Sequence, residues 1–266
     1  MSTAPVLVER LGGVGTVRLN RPENLNALNL ATKTALLEAL RGVAADPGVR
    51  CVVLIGTGRA FSVGHDLREH VRQLADDGPE AVWATVPEHY NPIATVLHTM
   101  DKPVVAAVNG VAAGAGASLA FLADLRLVSA SAGFNLAFAQ IGLSCDTGCS
   151  WTLPRLVGPT KAMQLLYTGG TITAEESLRL GIATEVIPDA GFAQRVSDLA
   201  GQLAVGPTQA YAAMRQSVAY ATHSSLPEAL AYEADMMRRT GSTEDHQQAV
   251  DAFLAKRPPV FTGQQA

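Results

Sequence analysis

The chain has 266 residues, of which 48% are hydrophobic and 17% charged, and its formal net charge at pH 7 is −4. This size allows one large hydrophobic core, or one core with a small additional unit. The near balance of acidic and basic side chains excludes a general electrostatic surface for nucleic acid or an anionic membrane, so we predict neither partner.

The N-terminal sequence and the cysteines favour a cytoplasmic protein. The segment MSTAPVLVERLGG lacks a basic stretch followed by an apolar run, and no apolar span in the sequence is long enough for a bilayer. Cys51, Cys145 and Cys149 form an odd set without a CxxC pair, which predicts buried free thiols rather than disulfides or a zinc site. We expect no bound metal.

Strand-like and helix-like segments alternate from the N-terminus. The predicted elements are strands at 6–9, 14–20 and 52–55, helices at 30–44, from Asp66 onward and at 88–100, and glycine-bearing turns at 12–13 and 56–64. Asn29 is the predicted N-cap of the first helix. A surface break is expected at the Asp-Gly-Pro sequence of 77–79.

The stretch from Lys102 to Phe121, KPVVAAVNGVAAGAGASLAF, is central to the pattern. Its apolar run 103–108 predicts a buried strand, the Asn-Gly pair at 109–110 ends that strand, and 116–123 predicts a helix. The first N–H groups of a helix have no intrahelical partner, so they can bind an oxyanion. The small side chains before the helix let a ligand oxygen reach these donors.

Other interpretations of this stretch are open at this point. Its glycines and alanines can serve only to pack the helix on a sheet, which the composition favours equally. A dinucleotide fingerprint is incomplete, because Leu119 stands where its third glycine should fall. A nucleophile elbow is half matched around Ser118, with His223 or His246 following in hydrolase order. Ser118, however, falls inside the predicted helix rather than at the end of the strand.

The rest of the chain changes from mixed structure to helices. The predicted elements are a strand at 124–130, an extended piece at 134–139, a helix at 151–157 and a capping box at Thr173-x-x-Glu176. Beyond residue 200 only helical patterns occur. We therefore divide the chain into a core at 1–200 and a helical region at 201–266. This region is too small to fold alone, so we expect it to pack on the core, a neighbouring subunit, or both.

Four segments taken together resemble the crotonase family, the enoyl-CoA hydratase/isomerase group. They are NRPENLNALN at 20–29, GTGRAFSVGHDL at 56–67, VNGVAAGAGASLAFLADLRL at 108–127 and IGLSCDTGCSWTLPRLVG at 141–158. The resemblance covers essentially the whole chain. It implies an α/β fold, a crotonase-like spiral of β-β-α units, in which the C-terminal helical region serves trimer formation, often with trimers paired into hexamers. It argues against the serine-elbow interpretation.

The resemblance also implies an acyl-CoA thioester substrate, with coenzyme A as part of the substrate and no separately bound cofactor. In this family two backbone N–H groups hold the thioester oxygen, and on this sequence they fall at His65 and Ala115. Removing a proton beside a thioester places negative charge on that oxygen, and preorganised donors stabilise the charge most in the transition state. The family usually has alanine at the position of His65, so we interpret its side chain as a pocket wall.

The carboxylate pattern departs from that of the hydratases. Ser118 and Phe138 stand where hydratases carry two glutamates, and neither can hold or deprotonate a water. Asp146 matches a third family position, used by several isomerases and by a dehalogenase branch. We predict Asp146 as the acid/base, with burial raising its pKa. The alternative is an N-cap for the following helix, and His89 is a possible helper or a helix-surface residue.

The resemblance assigns further positions to substrate binding. They are Arg21, Asn26, Ala27, Leu28, Ser62, Gly64, Asp66, Leu67, Gly114, Ser118, Phe138, Phe253, Lys256 and Phe261. Residues 26–28 match a segment beside the nucleotide end, and the last three match a tail that covers the cofactor. Arg21 and Lys256 offer local positive charge, although either can equally be a solvated surface cation.

Three functions follow from the resemblance. The first is double-bond isomerisation, or weak hydration, of an enoyl-CoA through Asp146. The second is hydrolysis or dehalogenation of a CoA thioester with Asp146 as nucleophile. The third is a non-catalytic acyl-CoA binder.

Overall fold

A computed structural model describes residues 4–263, and it contains two β-sheets. The larger sheet is formed by β1 (Val6–Leu11), β2 (Val14–Leu19), β3 (Cys51–Gly56), β5 (Val104–Val108), β7 (Leu125–Ser129) and β10 (Glu185–Ile187), in that order across the sheet. Within this larger sheet of the described residues, only the β1–β2 pair is antiparallel. That pair is the predicted hairpin, and both glycines of its turn have positive φ.

The smaller sheet is formed by four strands of three residues each, and two of them lie within the predicted turn and loop segments. The four strands are β4 (Ala60–Ser62), β6 (Val111–Ala113), β8 (Gly133–Asn135) and β9 (Thr171–Thr173). The turn predicted over 56–64 is therefore wrong in part, because it contains β4. The small-residue loop after Val108 likewise contains β6. These strands are too short to show alternation in the sequence.

Twelve α-helices lie among the described residues. They are α1 (Leu30–Ala45), α2 (Leu67–Asp76), α3 (Gly78–Trp83), α4 (Asn91–Thr99), α5 (Ala115–Phe121), α6 (Cys149–Val157), α7 (Pro159–Thr168), α8 (Ala174–Arg179), α9 (Phe192–Ala204), α10 (Thr208–Ala221), α11 (Leu226–Gly241) and α12 (Glu244–Leu254). The predicted helix at 88–100 is a π-helical turn, Val86–Tyr90, that continues into α4. The break predicted at 77–79 is the junction between α2 and α3.

Side-chain caps fix three of the predicted helix starts. Asn29 accepts a hydrogen bond from the Thr32 N–H and begins α1. Asp66 accepts from two N–H groups of the first turn of α2. Thr173 accepts from the Glu176 N–H, which confirms one half of the predicted capping box. The other half is absent in the described structure, because the Glu176 carboxylate pairs with Arg179 instead.

The large sheet is covered on both faces, which explains its continuous apolar strands. On one face, alternate residues such as Leu19 and Leu54 join the main core with α1 and α4. On the other face, Val53 and Val105 pack against Phe192 of α9. Because both faces of the sheet are covered, successive residues of a central strand are buried on alternate faces. The strands β3 and β5 are therefore buried almost throughout and show no alternation with polar residues.

The C-terminal region consists of helices, as predicted, and α9 spans the proposed boundary near residue 200. The α/β class with a C-terminal helical region is confirmed. Helices α10 and α11 pack together as a pair. Their outer faces expose apolar side chains, including Val218, Leu226 and Met237. No helix within residues 4–263 is long and apolar enough to span a bilayer.

Candidate active site

Two loops meet backbone to backbone where the two sheets adjoin. A Cβ atom on Gly64 would lie 2.6 Å from the Ala113 carbonyl oxygen and 3.0 Å from the Ala115 nitrogen. A Cβ atom on Gly116 would lie 2.3 Å from the Ser62 carbonyl oxygen. Only glycine allows this approach, so the loop after β4 and the loop after β6 are locked together.

The close approach brings His65 and Ala115 to the wall of one cavity. Ala115 is the first residue of α5, so its N–H has no intrahelical acceptor. Neither of these two backbone N–H groups donates to another atom of the described residues. The two predicted donors therefore lie in neighbouring loops and remain free to bind a ligand oxygen.

The segment at 26–28 fixes the first of these loops. Asn26 is fully buried with φ +57°, and its side-chain amide donates to the Thr57 and Ala60 carbonyls at 3.0 and 2.8 Å. The Leu28 N–H donates to the Gly64 carbonyl at 2.7 Å. Ser62 Oγ donates to the Asn26 carbonyl at 2.8 Å. These side chains position the backbone of His65 and do not line the cavity.

Arg21 is tied into the same structure. Its guanidinium donates to the Ala27 carbonyl at 2.6 Å and to the Asp66 carboxylate at 3.0 Å. The interpretation of Arg21 as a solvated surface cation is therefore wrong. Burial raises the pKa of Asp66, but hydrogen bonds from Arg21 and from the first turn of α2 outweigh it, so that pKa is lowered overall. This charged pair clamps the start of α2.

The cavity has a volume of about 580 Å³ and a mostly apolar wall. Its larger apolar side chains are Val63, Leu67, Trp83, Val86, Phe138, Ile141 and Leu143. Its polar and ionisable side chains include His65, His70, Thr85, Tyr90, Asn91, Cys145 and Asp146. Gly114 and Ala115 form the small-residue part of the wall. A cavity of this size and lining is suited to an acyl group.

Asp146 contributes the only carboxylate among the described residues that line the cavity. Burial raises the pKa of Asp146, against smaller lowering effects of the Thr147 hydroxyl and of Lys33. Thr147 Oγ1 lies 3.1 Å from Asp146 Oδ1. The N-cap alternative is wrong, because Gly148 is the N-cap of α6 and no side chain caps this helix. The Asp146 carboxylate therefore does not cap α6.

Ser118 and Phe138, at the two positions that carry glutamate in hydratases, supply no carboxylate to hold and deprotonate a water. Ser118 is fully buried within α5, and its Oγ donates back to the Gly114 carbonyl at 3.2 Å. It does not line the cavity, and its helical position excludes the nucleophile-elbow interpretation. Phe138 lines the cavity with its ring.

A polar cluster in and behind the cavity wall was not predicted from the sequence. Tyr90 is buried, and its hydroxyl lies 2.9 Å from His65 Nδ1. Lys33 is also buried, and its Nζ donates to Thr85 Oγ1 at 2.6 Å. His89 Nδ1 lies 3.3 Å from the same oxygen and does not line the cavity. The available signal was Lys33 itself, a lysine on the apolar face of α1 with Leu36 and Leu40.

Burial lowers the pKa of His65 to about 4, and the positive charge of Lys33 and the neighbouring His70 add to this effect. His65 is therefore neutral at neutral pH. Its side chain lies in the cavity lining, as the pocket-wall interpretation requires, and that interpretation stays a prediction.

The C-terminal residues assigned to substrate binding lie elsewhere in this chain. Phe253 is 81% exposed, Lys256 is exposed with φ +53°, and neither lines the cavity. The Phe261 carbonyl accepts a hydrogen bond from Arg50 at 2.9 Å. Their predicted role in covering a cofactor stays a prediction.

All three cysteines have free thiols. Cys51 and Cys149 are buried free thiols as predicted, whereas Cys145 is only partly buried because it lines the cavity. Among residues 4–263 no group of three or more histidine, cysteine or acidic side chains is placed to hold a metal ion.

Known structures and sequences identify the fold and the family. A structure of an enoyl-CoA hydratase/isomerase from Mycobacterium abscessus, itself of inferred function, superposes with a TM-score of 0.94 at 41% identity, covering 97% of this chain and all of the other. A structure from Streptomyces coelicolor A3(2), described as an enoyl-CoA hydratase of inferred function, gives a TM-score of 0.92 at 33% identity over 98% of this chain and 94% of the other. The fold is therefore the crotonase fold.

The family model for enoyl-CoA hydratase/isomerase matches residues 9–264. The 1,2-epoxyphenylacetyl-CoA isomerase of Escherichia coli K12 is 40% identical over 94% of this chain and 95% of its own length. A protein of Rhodobacter capsulatus named as a probable enoyl-CoA hydratase is 40% identical over 99% of this chain and 100% of its own. The chain belongs to the enoyl-CoA hydratase/isomerase family, the crotonase family of enzymes.

Proposed function

We propose that this protein isomerises an enoyl-CoA by moving its double bond, with Asp146 as the proton carrier. The observation that carries the proposal is the Asp146 carboxylate, the single one among the described residues that line the cavity. It is partly buried, and its pKa is raised. The backbone N–H groups of His65 and Ala115, which have no acceptor among the described residues, lie at the wall of the same cavity. Coenzyme A enters as part of the substrate and no further cofactor is required.

The proposed reaction has two proton transfers. Asp146 removes a proton from carbon next to the double-bond system, and the electron pair moves onto the thioester oxygen, where the N–H groups of His65 and Ala115 stabilise it. The protonated Asp146 then returns the proton to a different carbon, so the double bond shifts and no atom is gained or lost. A raised carboxyl pKa suits both steps, because the group must accept and release a proton near neutral pH.

Hydration is the slower alternative. Adding water requires groups that hold and deprotonate it, and Ser118 and Phe138 supply neither. The isomerase name of the Escherichia coli relative supports isomerisation, and the hydratase name of the Rhodobacter relative keeps weak hydration as the second candidate.

The test follows enoyl-CoA turnover in deuterated water. We expect deuterium to enter the substrate as the double bond moves, and crotonyl-CoA hydration to be slow by comparison. A covalent acyl-aspartyl species trapped by rapid quench would contradict isomerisation and favour the hydrolase or dehalogenase. Binding of acyl-CoA without exchange or turnover would favour the non-catalytic binder.

Self-association is part of this proposal. The apolar side chains exposed on α10 and α11 support a trimer or hexamer formed through the C-terminal helices. The predicted cytoplasmic location stays a prediction.

A further inference from the structure

The polar part of the cavity wall contains an unusual pair, a neutral histidine joined to a buried tyrosine. His65 Nδ1 and the Tyr90 hydroxyl lie 2.9 Å apart, and both residues line the cavity. His65 Nε2 is enclosed and has no partner among the described residues. Tyr90 makes no other hydrogen bond there. The two side chains therefore hydrogen bond to each other and to no other described residue.

Counting hydrogens shows what the pair lacks. A neutral imidazole carries one N–H and a phenol carries one O–H, so the pair has two donor hydrogens. Their single mutual hydrogen bond uses one of them. The other hydrogen, on His65 Nε2 or on the Tyr90 oxygen, has no protein acceptor whichever tautomer is present. The neighbouring His70 ring contacts His65 edge to face at 5.4 Å between centroids, but does not hydrogen bond to it.

A buried lysine lies behind the same wall, and the carboxylates of Glu69, Asp66 and Asp146 act on its charge. Lys33 Nζ lies 5.4 Å from the centre of the Tyr90 ring, and it makes no ion pair among residues 4–263. Its one hydrogen bond is to Thr85, a further residue of the cavity wall. An excess donor hydrogen in the wall of this cavity favours a ligand atom with lone pairs.

We propose that the acyl group bound in this cavity carries an oxygen substituent that accepts a hydrogen bond from the His65–Tyr90 pair. The preferred substrates are then oxygen-bearing acyl-CoA thioesters, such as keto, hydroxy, cyclic-ether or carboxylate derivatives, rather than plain hydrocarbon chains. The inference rests on the proposed function in one respect, that an acyl-CoA occupies this cavity.

Saturated acyl-CoAs separate recognition from catalysis, because they have no double bond to move. We compare by calorimetry the dissociation constants of hexanoyl-CoA, its 3-, 4- and 5-oxo derivatives, and adipoyl-CoA, with the wild-type protein. We expect at least one oxygen-bearing compound to bind about fivefold or more tightly than hexanoyl-CoA, the usual worth of one hydrogen bond. If adipoyl-CoA binds most tightly, the preferred acceptor on the acyl group is a carboxylate. If an oxo derivative binds most tightly, the preferred acceptor is a neutral oxygen.

Variants of the pair test the assignment. His65→Leu leaves the tyrosine O–H and Tyr90→Phe leaves the imidazole N–H, so each should reduce the preference without abolishing it. The double variant should bind the oxygen-bearing compound and hexanoyl-CoA equally. His98→Ala is the matched control, because His98 lies outside the cavity against Trp151, and it should keep the wild-type preference.

The outcomes separate this inference from the proposed function. Equal affinities in the wild-type protein would overturn the inference, as would an unchanged preference in the double variant, and would leave isomerisation standing. Failure of every acyl-CoA to bind would contradict the proposed function itself. Should the double variant not fold, the wild-type comparison alone still decides.

Discussion

Asp146 differs from the other perturbed aspartates in what surrounds its carboxylate. Asp189 accepts hydrogen bonds from Ser129 and Ser131, which lower its pKa. Asp66 lies in an ion pair with a lowered pKa. Asp146 has a threonine hydroxyl beside it and no ion pair among the described residues, and burial raises its pKa. A carboxylate without an ion-pair partner in a mostly apolar cavity is suited to proton transfer rather than to structure.

The first prediction concerns Asp146→Asn. The amide keeps the shape of the side chain but cannot take a proton, so kcat for enoyl-CoA isomerisation should fall about a hundredfold or more, with little change in KM. The melting temperature should be no lower than that of the wild type, because this side chain caps no helix and burial disfavours its charged form. Asp189→Asn is the control, and it should lower the melting temperature while activity is retained. An active, folded Asp146→Asn protein would redirect attention to His65 or His89.

The second prediction is the pH dependence that the raised pKa of Asp146 produces. Because only the carboxylate acts as base, kcat/KM should decline with falling pH at values above the ordinary aspartate pKa of about 4. For stability, a raised folded-state pKa favours the protonated form. Its contribution is therefore present at low pH and is lost as pH rises from the unfolded pKa through the folded one.

Unfolding titrations of the wild-type and Asp146→Asn proteins across the acid range check the sign. The free energy of unfolding of the wild-type protein should decrease relative to that of the variant as pH rises. A difference that grows in the opposite direction would mean that the folded protein stabilises the charged carboxylate.

At the scale of elements, the contact between the loops after β4 and β6 is what creates a site. Gly116 has the Ser62 carbonyl oxygen 2.3 Å from where its Cβ would be, and Gly64 has positive φ as well as a close neighbour. The sequence pattern predicted a glycine-bearing turn at the first place and small residues that admit a ligand oxygen at the second. It did not show that the two loops approach each other, because that contact depends on the small sheet.

The third prediction is the effect of Gly116→Ala. The added methyl group would push apart the backbones that hold the two N–H groups, so we expect a loss of about 1–3 kcal/mol in the free energy of unfolding and a lower kcat. Gly42→Ala is the matched control, since nothing lies within 4 Å of a Cβ there and the residue is in α1. It should be neutral or stabilising by up to about 1 kcal/mol with full activity. Equal behaviour of the two variants would contradict the close approach.

How far the elements were predictable depended on their length. The helix α1 was found with its N-cap, because 16 residues show a clear period and Asn29 marks the start. The strand β6 was not found, because Val-Ala-Ala between glycines has the composition of a turn. Helix α7 was not predicted, although Pro159 in its first turn is a usable start signal.

At the scale of the whole molecule, the site assembles side chains that are distant in sequence. Lys33 and Thr85 are 52 residues apart, and Arg21 and Asp66 are 45 apart. The resemblance assigned Arg21 and Asp66 to substrate binding, and the structure joins them in an ion pair outside the cavity lining. Their ion pair, which makes them positioning residues, could not be predicted because no local pattern specifies a partner at that separation. The donor pair of His65 and Tyr90 was missed for the same reason.

The outer face of the C-terminal helices is the largest feature that the single chain leaves unexplained. Met214 and Val218 are one turn apart on α10, and both are more than half exposed, at 61% and 68%. They line a groove of about 530 Å³ together with Trp151 and Arg155. Apolar side chains beside such a groove are typical of a protein interface.

The fourth prediction is that the protein forms a trimer or hexamer and that Met214→Glu/Val218→Glu disrupts it. Burying two carboxylates in a subunit interface without partners is unfavourable, so the molar mass by light scattering should fall towards that of the 27.8 kDa chain. Leu11→Glu is the control, because Leu11 is 85% exposed at the β1–β2 turn and does not line that groove, and it should keep the assembly. A wild-type protein that is monomeric at micromolar concentration would contradict the proposed role of the C-terminal region, and an assembled double variant would place the interface on another face.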